Sequence, residues 1–205
     1  MYIIVVAVVI VVYLILMSHF IREGNMKYFK LLKPMINGEM LKGLNSGTLK
    51  GNYKGNTVEI RILTTAGRGR GSGYCIVIRF YYKFPVMELY FKNVIGVFKG
   101  SQVRFKKEEM EKLGFADYRI LCVKPDNIKK YLERPGVREA IIHLIGKGFY
   151  PKVTGSAILS FKESYLELAC SSEGFVSMDE KINKFLSVAS MKALFEDFIN
   201  LKNVS

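Results

Sequence analysis

The chain has 205 residues and carries 31 Lys and Arg against 18 Asp and Glu, a formal net charge of +13. Its three cysteines, Cys75, Cys122 and Cys170, are odd in number and widely spaced, which argues against a disulfide-framed secreted domain. None stands in a C-x-x-C pair, so thiol redox and zinc-ribbon chemistry are excluded and buried free thiols in a reducing compartment are expected.

The first element is the run Tyr2–Ile21, YIIVVAVVIVVYLILMSHFI, with no charged side chain before Arg22. A helix of about 20 residues rises about 30 Å, the thickness of a bilayer's hydrocarbon core. The run is too long for a buried strand and apolar all the way round, unlike the helix of a soluble domain. A cleaved secretory signal needs a basic leader, a shorter apolar core and a small-x-small site. Here Met1 alone precedes the run, and Met17-Ser18-His19-Phe20 offers no such site. Residues 1–21 are therefore expected to be a retained transmembrane anchor. No Lys or Arg precedes it, whereas Arg22, Lys27, Lys30 and Lys33 follow it, opposed by Glu23. Basic residues close to a span mark its cytoplasmic end, so the N-terminus is expected outside the cell membrane and the rest of the chain in the cytoplasm.

Residues 22–46 are expected to form a basic juxtamembrane stalk. Met26, Phe29 and Leu32 fall three apart, with Lys27, Lys30 and Lys33 between them. That pattern suits a short helix lying at the interface, apolar side down and lysines towards headgroups. It equally suits a stalk that continues the anchor until Pro34 ends it.

The remainder, residues 47–205, is the right size for one domain with its own core. Val58, Ile60 and Ile62 alternate with Glu59 and Arg61, predicting a strand over Thr57–Leu63. Gly55-Asn56 before it is a two-residue hairpin signal, pairing Thr48–Lys54 with that strand. Strands are predicted at Tyr74–Tyr82, Met87–Phe91 and Asp117–Val123, with a short charged helix at Lys106–Leu113. Pro125-Asp126 opens a helix bearing Ile128, Tyr131 and Leu132, which Pro135-Gly136 interrupts. Val137, Ala140, Ile141 and Leu144 then mark the core side of another helix, ended by Gly146 or Gly148. A hairpin of Val153–Phe161 with Tyr165–Cys170 follows. Last comes a long helix, Met178–Leu201, with Ile182, Phe185, Leu186, Ala189, Ala193 and Phe198 inward. Strands in series with helices gathered later predict an α+β domain, a mostly antiparallel sheet with helices on one face.

Charge is uneven. Met1–Lys107 holds 17 Lys and Arg against 4 Glu, and Glu108–Ser205 holds 14 against 14. All the net charge lies on the anchor, the stalk and the first strands, which favours an anionic inner leaflet as partner. The candidate anionic-surface residues are Arg22, Lys27, Lys30 and Lys33, with Arg68 and Arg70 from the loop Gly67-Arg68-Gly69-Arg70-Gly71-Ser72-Gly73. That loop fails the dinucleotide fingerprint, because Ser72 takes the third glycine position, and no Walker pattern exists.

No catalytic constellation is apparent. The two histidines are His19, at the membrane boundary, and His143, beside the apolar stripe of its helix. The acid pairs Glu108-Glu109 and Asp179-Glu180 fall in charged helical stretches. No metal-ligand spacing occurs, so neither metal nor cofactor is expected. Aromatic and basic residues interleave at Arg79–Phe84 and Tyr90–Lys92, but alternation sends half of those rings to the core, and no nucleic-acid partner is expected. The expectation is a membrane-anchored, non-enzymatic interaction module whose neutral half is free for a protein partner. The alternatives are a binder of lipid or another amphiphile between sheet and helices, and an unrecognised enzyme acting on a membrane-associated substrate.

Overall fold

The structure, a computed structural model, describes residues 6, 8–12, 26–42, 46–66, 72–85, 87–91, 103–115, 118–122, 124–146, 157–172 and 186–205. The strands are β1 (Glu39–Lys42), β2 (Ser46–Tyr53), β3 (Asn56–Ala66), β4 (Ser72–Phe80), β5 (Met87–Phe91), β6 (Val103–Arg104), β7 (Tyr118–Cys122), β8 (Ala157–Phe161) and β9 (Leu166–Ser172). The helices are α1 (residues 26–32), α2 (Lys107–Lys112), α3 (Pro125–Leu132), α4 (Val137–Gly146) and α5 (Val188–Val204). The strands form one sheet in the order β1-β2-β3-β4-β9-β8-β5-β7-β6. Every neighbouring pair is antiparallel, as expected of an α+β domain.

The β2–β3 turn sits one residue before its predicted place. Tyr53 pairs with Asn56, leaving Lys54 and Gly55 as the loop, with φ of 49° and 80°. Two positive φ values give a turn whose twist matches the strands. The Asn52 side chain steadies it by accepting the Gly55 N–H at 2.8 Å.

Alternation sets the register. Leu49, Ile60, Ile78, Leu168 and Leu159 are successive partners across β2, β3, β4, β9 and β8, all buried. Val58, Phe80, Leu166, Phe161 and Met87 form the adjoining row. A slip of one residue in any strand would turn its part of these rows to the other face. The helices cover this face. From α5, Phe195 lies 5.2 Å from Tyr53 and Phe198 5.6 Å from Phe80, between ring centroids. From α3, Tyr131 lies 6.5 Å from Phe161, and α4 packs against α5.

Two expectations are corrected. The last helix does not run unbroken from Met178. Residues 178–185 lie outside those described, Leu186 and Ser187 are turn residues, and Ser187 caps α5 by accepting the Ser190 N–H at 3.2 Å. The buried side is Met191, Leu194, Phe195, Phe198 and Leu201, while Ala189 and Ala193 are exposed. The new start leaves two stripes in competition, and the one with the larger side chains removes more apolar area from water.

The second correction concerns the stalk. Tyr28, Phe29, Leu32 and Ile36 are buried in the domain core, so the apolar side of α1 faces the sheet and not a membrane. A Cβ on Gly47 would overlap the Phe29 ring, and one on Gly51 the Ile36 carbonyl. That close approach lets Ile36 accept the Asn52 N–H at 2.6 Å. β1 then adds the edge strand, with Met40 opposite Leu49. Residues 26–42 are thus built into the domain.

Among the described residues no helix is long and apolar enough to cross a membrane. Most of the predicted span, Tyr2–Ile21, lies outside them. The part within them, Val6 and residues 8–12, is helical and exposed, at 49–61%.

Candidate membrane-facing surface

Because one side of α1 is locked onto the sheet, its other side is fixed outward. At about 100° per residue, Lys27, Lys30 and Leu31 share the side opposite Tyr28, Phe29 and Leu32. Lys27, Lys30 and Lys33 are exposed and have no ion-pair partner among the described residues. Leu31, on the same side as Lys27 and Lys30, is 57% exposed. Of the predicted anionic-surface residues, the structure brings together Lys27, Lys30 and Lys33. Arg22, Arg68 and Arg70 lie outside the described residues.

The arginines of β3 and β4 are differently placed. On the sheet face away from the helices, Lys50, Glu59, Arg79 and Glu167 are successive partners across β2, β3, β4 and β9, alternating in sign. Arg79 donates from Nε to Glu167 at 2.7 Å, and its Nη1 lies 3.4 Å from Glu59. Glu59, 3% exposed, also takes the Arg61 guanidinium and the Tyr81 hydroxyl, the latter at 3.0 Å. The Arg79 guanidinium stacks over the Tyr165 ring at 4.8 Å. Burial works against its charge, and the hydrogen bond and charge of Glu167, helped by Tyr165 and Glu59, outweigh burial and raise its pKa. Burial first and the Glu59 hydrogen bond second raise that of Tyr81. Arg79 meets Glu59 and Glu167 on the facing strands, where opposite charges attract, and Arg61 meets Glu59 two residues before it on β3, so both arginines are engaged within the sheet.

On the helical side, a cleft of about 780 Å³ carries Lys112, Lys129, Arg134 and Arg138 against Glu109, Glu133 and Glu139. Glu139 occupies the first turn of α4 and accepts from Arg138 at 2.8 Å. Hydrogen bonds from its own backbone N–H and from Arg138 hold its carboxyl below the usual range. The positive end of α4 is therefore already met by a carboxylate from within the chain. A smaller cleft of about 270 Å³ is lined by Glu139, Ala140, His143, Asp197 and Asn200. His143 Nε2 lies 3.2 Å from Oδ1 of the buried Asp197, tying α4 to α5. Nucleophilic catalysis would need a hydroxyl or thiol within reach of that imidazole, and among the described residues no such side chain lines the cleft. Among the described residues no group of acids, histidines and cysteines is arranged to hold a metal ion. Sheet and helices meet through Phe80, Phe161, Phe195 and Phe198, all fully buried, where an amphiphile would have to lie.

Burial raises the pKa of the Cys122 thiol to about 11, and burial with the charge of Glu167 raises that of Cys75. Burial likewise pushes Tyr131 up to about 12, and burial with the Glu196 hydrogen bond pushes Tyr53 to about 12. A phenol whose folded pKa exceeds its ordinary value of 10.0 stabilises the fold fully below about pH 10, a contribution lost towards pH 12. Tyrosinate absorbance followed against circular dichroism checks this. Of the twelve tyrosines, Tyr53 and Tyr131 should ionise late, towards pH 12 or on unfolding, and a folded domain in which all twelve ionise together near pH 10 would contradict it.

Leu31 is out of phase with the Phe29 and Leu32 stripe, a signal that helical spacing leaves unread, and alternation puts Glu59 and Glu167 on the sheet's other face without showing that they are paired there. Comparison with family models, with curated proteins and with solved structures finds no match to this chain.

Proposed function

We propose that the chain is a single-pass membrane-anchored, non-enzymatic interaction module, its domain cytoplasmic and its basic α1 side next to an anionic leaflet. The observation that carries this is α1 itself. Its apolar side is held by the core, and Lys27 and Lys30 on it, with Lys33 in the turn after it, are exposed without acidic partners among the described residues. Lys27 stands six residues after Ile21, so the link spans at most about 22 Å from the end of the apolar run. The exposed helical residues Val6 and 8–12 support the anchor, since a row of bare valines is stable in lipid and costly in water. The neutral half of the chain, with its mixed-charge cleft between α2, α3 and α4, is left for a protein partner.

Two measurements test this. Deleting residues 1–20 should move the domain to the soluble fraction still folded, because the described core begins at α1. A truncated domain that stays with membranes at high salt would reveal a second attachment. For topology, a cysteine placed between Gly67 and Gly73 should resist an impermeant thiol reagent in intact cells and react after permeabilisation. The parent protein is the control, with Cys75 and Cys122 slow because few of their thiols ionise near neutral pH. Labelling in intact cells would place the domain outside.

A further inference from the structure

Leu31 is the one feature of α1 that neither the core nor a purely electrostatic surface explains. An exposed leucine on a soluble surface is ordinary taken singly, but this one shares a helix side with Lys27 and Lys30, which have no acidic partner among the described residues, on a helix whose other side is held by the core. Lysines beside an apolar side chain are what an interfacial helix presents to lipid: ammonium groups reach phosphates while their stems and the apolar residue go deeper. The short link to the apolar run holds this side within about 22 Å of the bilayer. A short link raises the effective concentration of this side at the lipid surface.

We propose that α1 docks flat on the anionic phospholipid surface through Lys27 and Lys30, helped by Lys33 in the turn after it, with Leu31 inserted below the headgroups, so that the domain is held in one orientation. This rests on the anchor proposed above and goes beyond it, since an anchored domain could equally hang free on its link. The partner is the lipid headgroup layer. An acidic protein would satisfy the lysines but would leave position 31 out of reach of the acyl chains.

The chain contains no tryptophan, so Leu31→Trp gives the full-length protein a single reporter. The protein is reconstituted in vesicles of phosphatidylcholine alone or with phosphatidylserine added, and flotation is scored for each. With phosphatidylserine present, Trp emission should shift to the blue and be quenched about twofold or more by lipids brominated on the acyl chain, matching insertion of about 5–10 Å. Adding Lys27→Glu, Lys30→Glu and Lys33→Glu should abolish the shift, and a separate Lys129→Trp protein on α3 should stay water-exposed in both lipids. Protein that floats with both vesicles while position 31 remains water-like overturns the docking and leaves the anchor standing. Protein that floats with neither overturns both.

Discussion

Glu59→Ala is expected to destabilise the domain by about 3 kcal/mol, the cost of removing one partner from a buried ion pair. Glu59 is 3% exposed and receives Arg61, Arg79 and the Tyr81 hydroxyl. Without it the Tyr81 hydroxyl loses its acceptor, and Arg79, with 21% of its side chain exposed, keeps Glu167 alone. Arg61 can turn to water, since 37% of its side chain is exposed, which keeps the loss below the upper end for such sites. A change of that size lowers Tm by roughly 6–12 °C in a domain of this length. The measurement is a urea or thermal unfolding curve of the domain from Asn25 onward. Glu167→Ala, at a site with 18% of the side chain exposed, should cost less, and Glu163→Ala, on an exposed turn, almost nothing. Equal effects at Glu59 and Glu163 would mean that the alternating row contributes no more than a solvated surface.

This pairing bears on how far a charge count can be trusted. The excess in Met1–Lys107 is real, but counting cannot see that Arg79 faces Glu59 on β3 and also meets Glu167 on β9. That neighbour lies 88 residues away in sequence, and sheet order is set by contacts that no local window contains. For the same reason β1 and the two-residue β6 were not legible, nor was the placement of β5 between β8 and β7. Elements with their own punctuation were legible. Pro125 opens α3 and Gly146 closes α4, and the β2–β3 turn fell within one residue of its signal. α1 is a subtler case. Its helical spacing is plain, with Met26, Phe29 and Leu32 three apart. Periodicity reports that an apolar side exists without saying whether protein or lipid covers it. The small residues at Gly47 and Gly51 that admit α1 to the sheet lie on β2, beyond the helix's own window.

Reversing Lys27, Lys30 and Lys33 to Glu should all but abolish binding of the domain from Asn25 onward to anionic vesicles. Each lysine at the surface contributes about 1 kcal/mol, so loss of three is about 3 kcal/mol, a factor of about 100 in affinity before any repulsion by the new carboxylates. The unaltered domain should bind vesicles containing phosphatidylserine, ignore phosphatidylcholine alone, and dissociate steeply as salt rises, because exposed charges are screened within about 8 Å at physiological ionic strength. The replaced side chains are exposed, so the fold should survive, and the unfolding curve should match the parent's. Arg68→Glu with Arg70→Glu should weaken binding further only if that loop shares the lipid-facing side. Lys181→Glu with Lys184→Glu, in the neutral half, should have little effect. Equal loss from the α1 and the neutral-half reversals would mean that attraction follows total charge and that no oriented face exists. If none of the reversals weakens binding, the α1 lysines meet something other than lipid. The exposed charge beside a helix held by Phe29 and Leu32, without an acidic partner among the described residues, would then be better matched to an acidic protein.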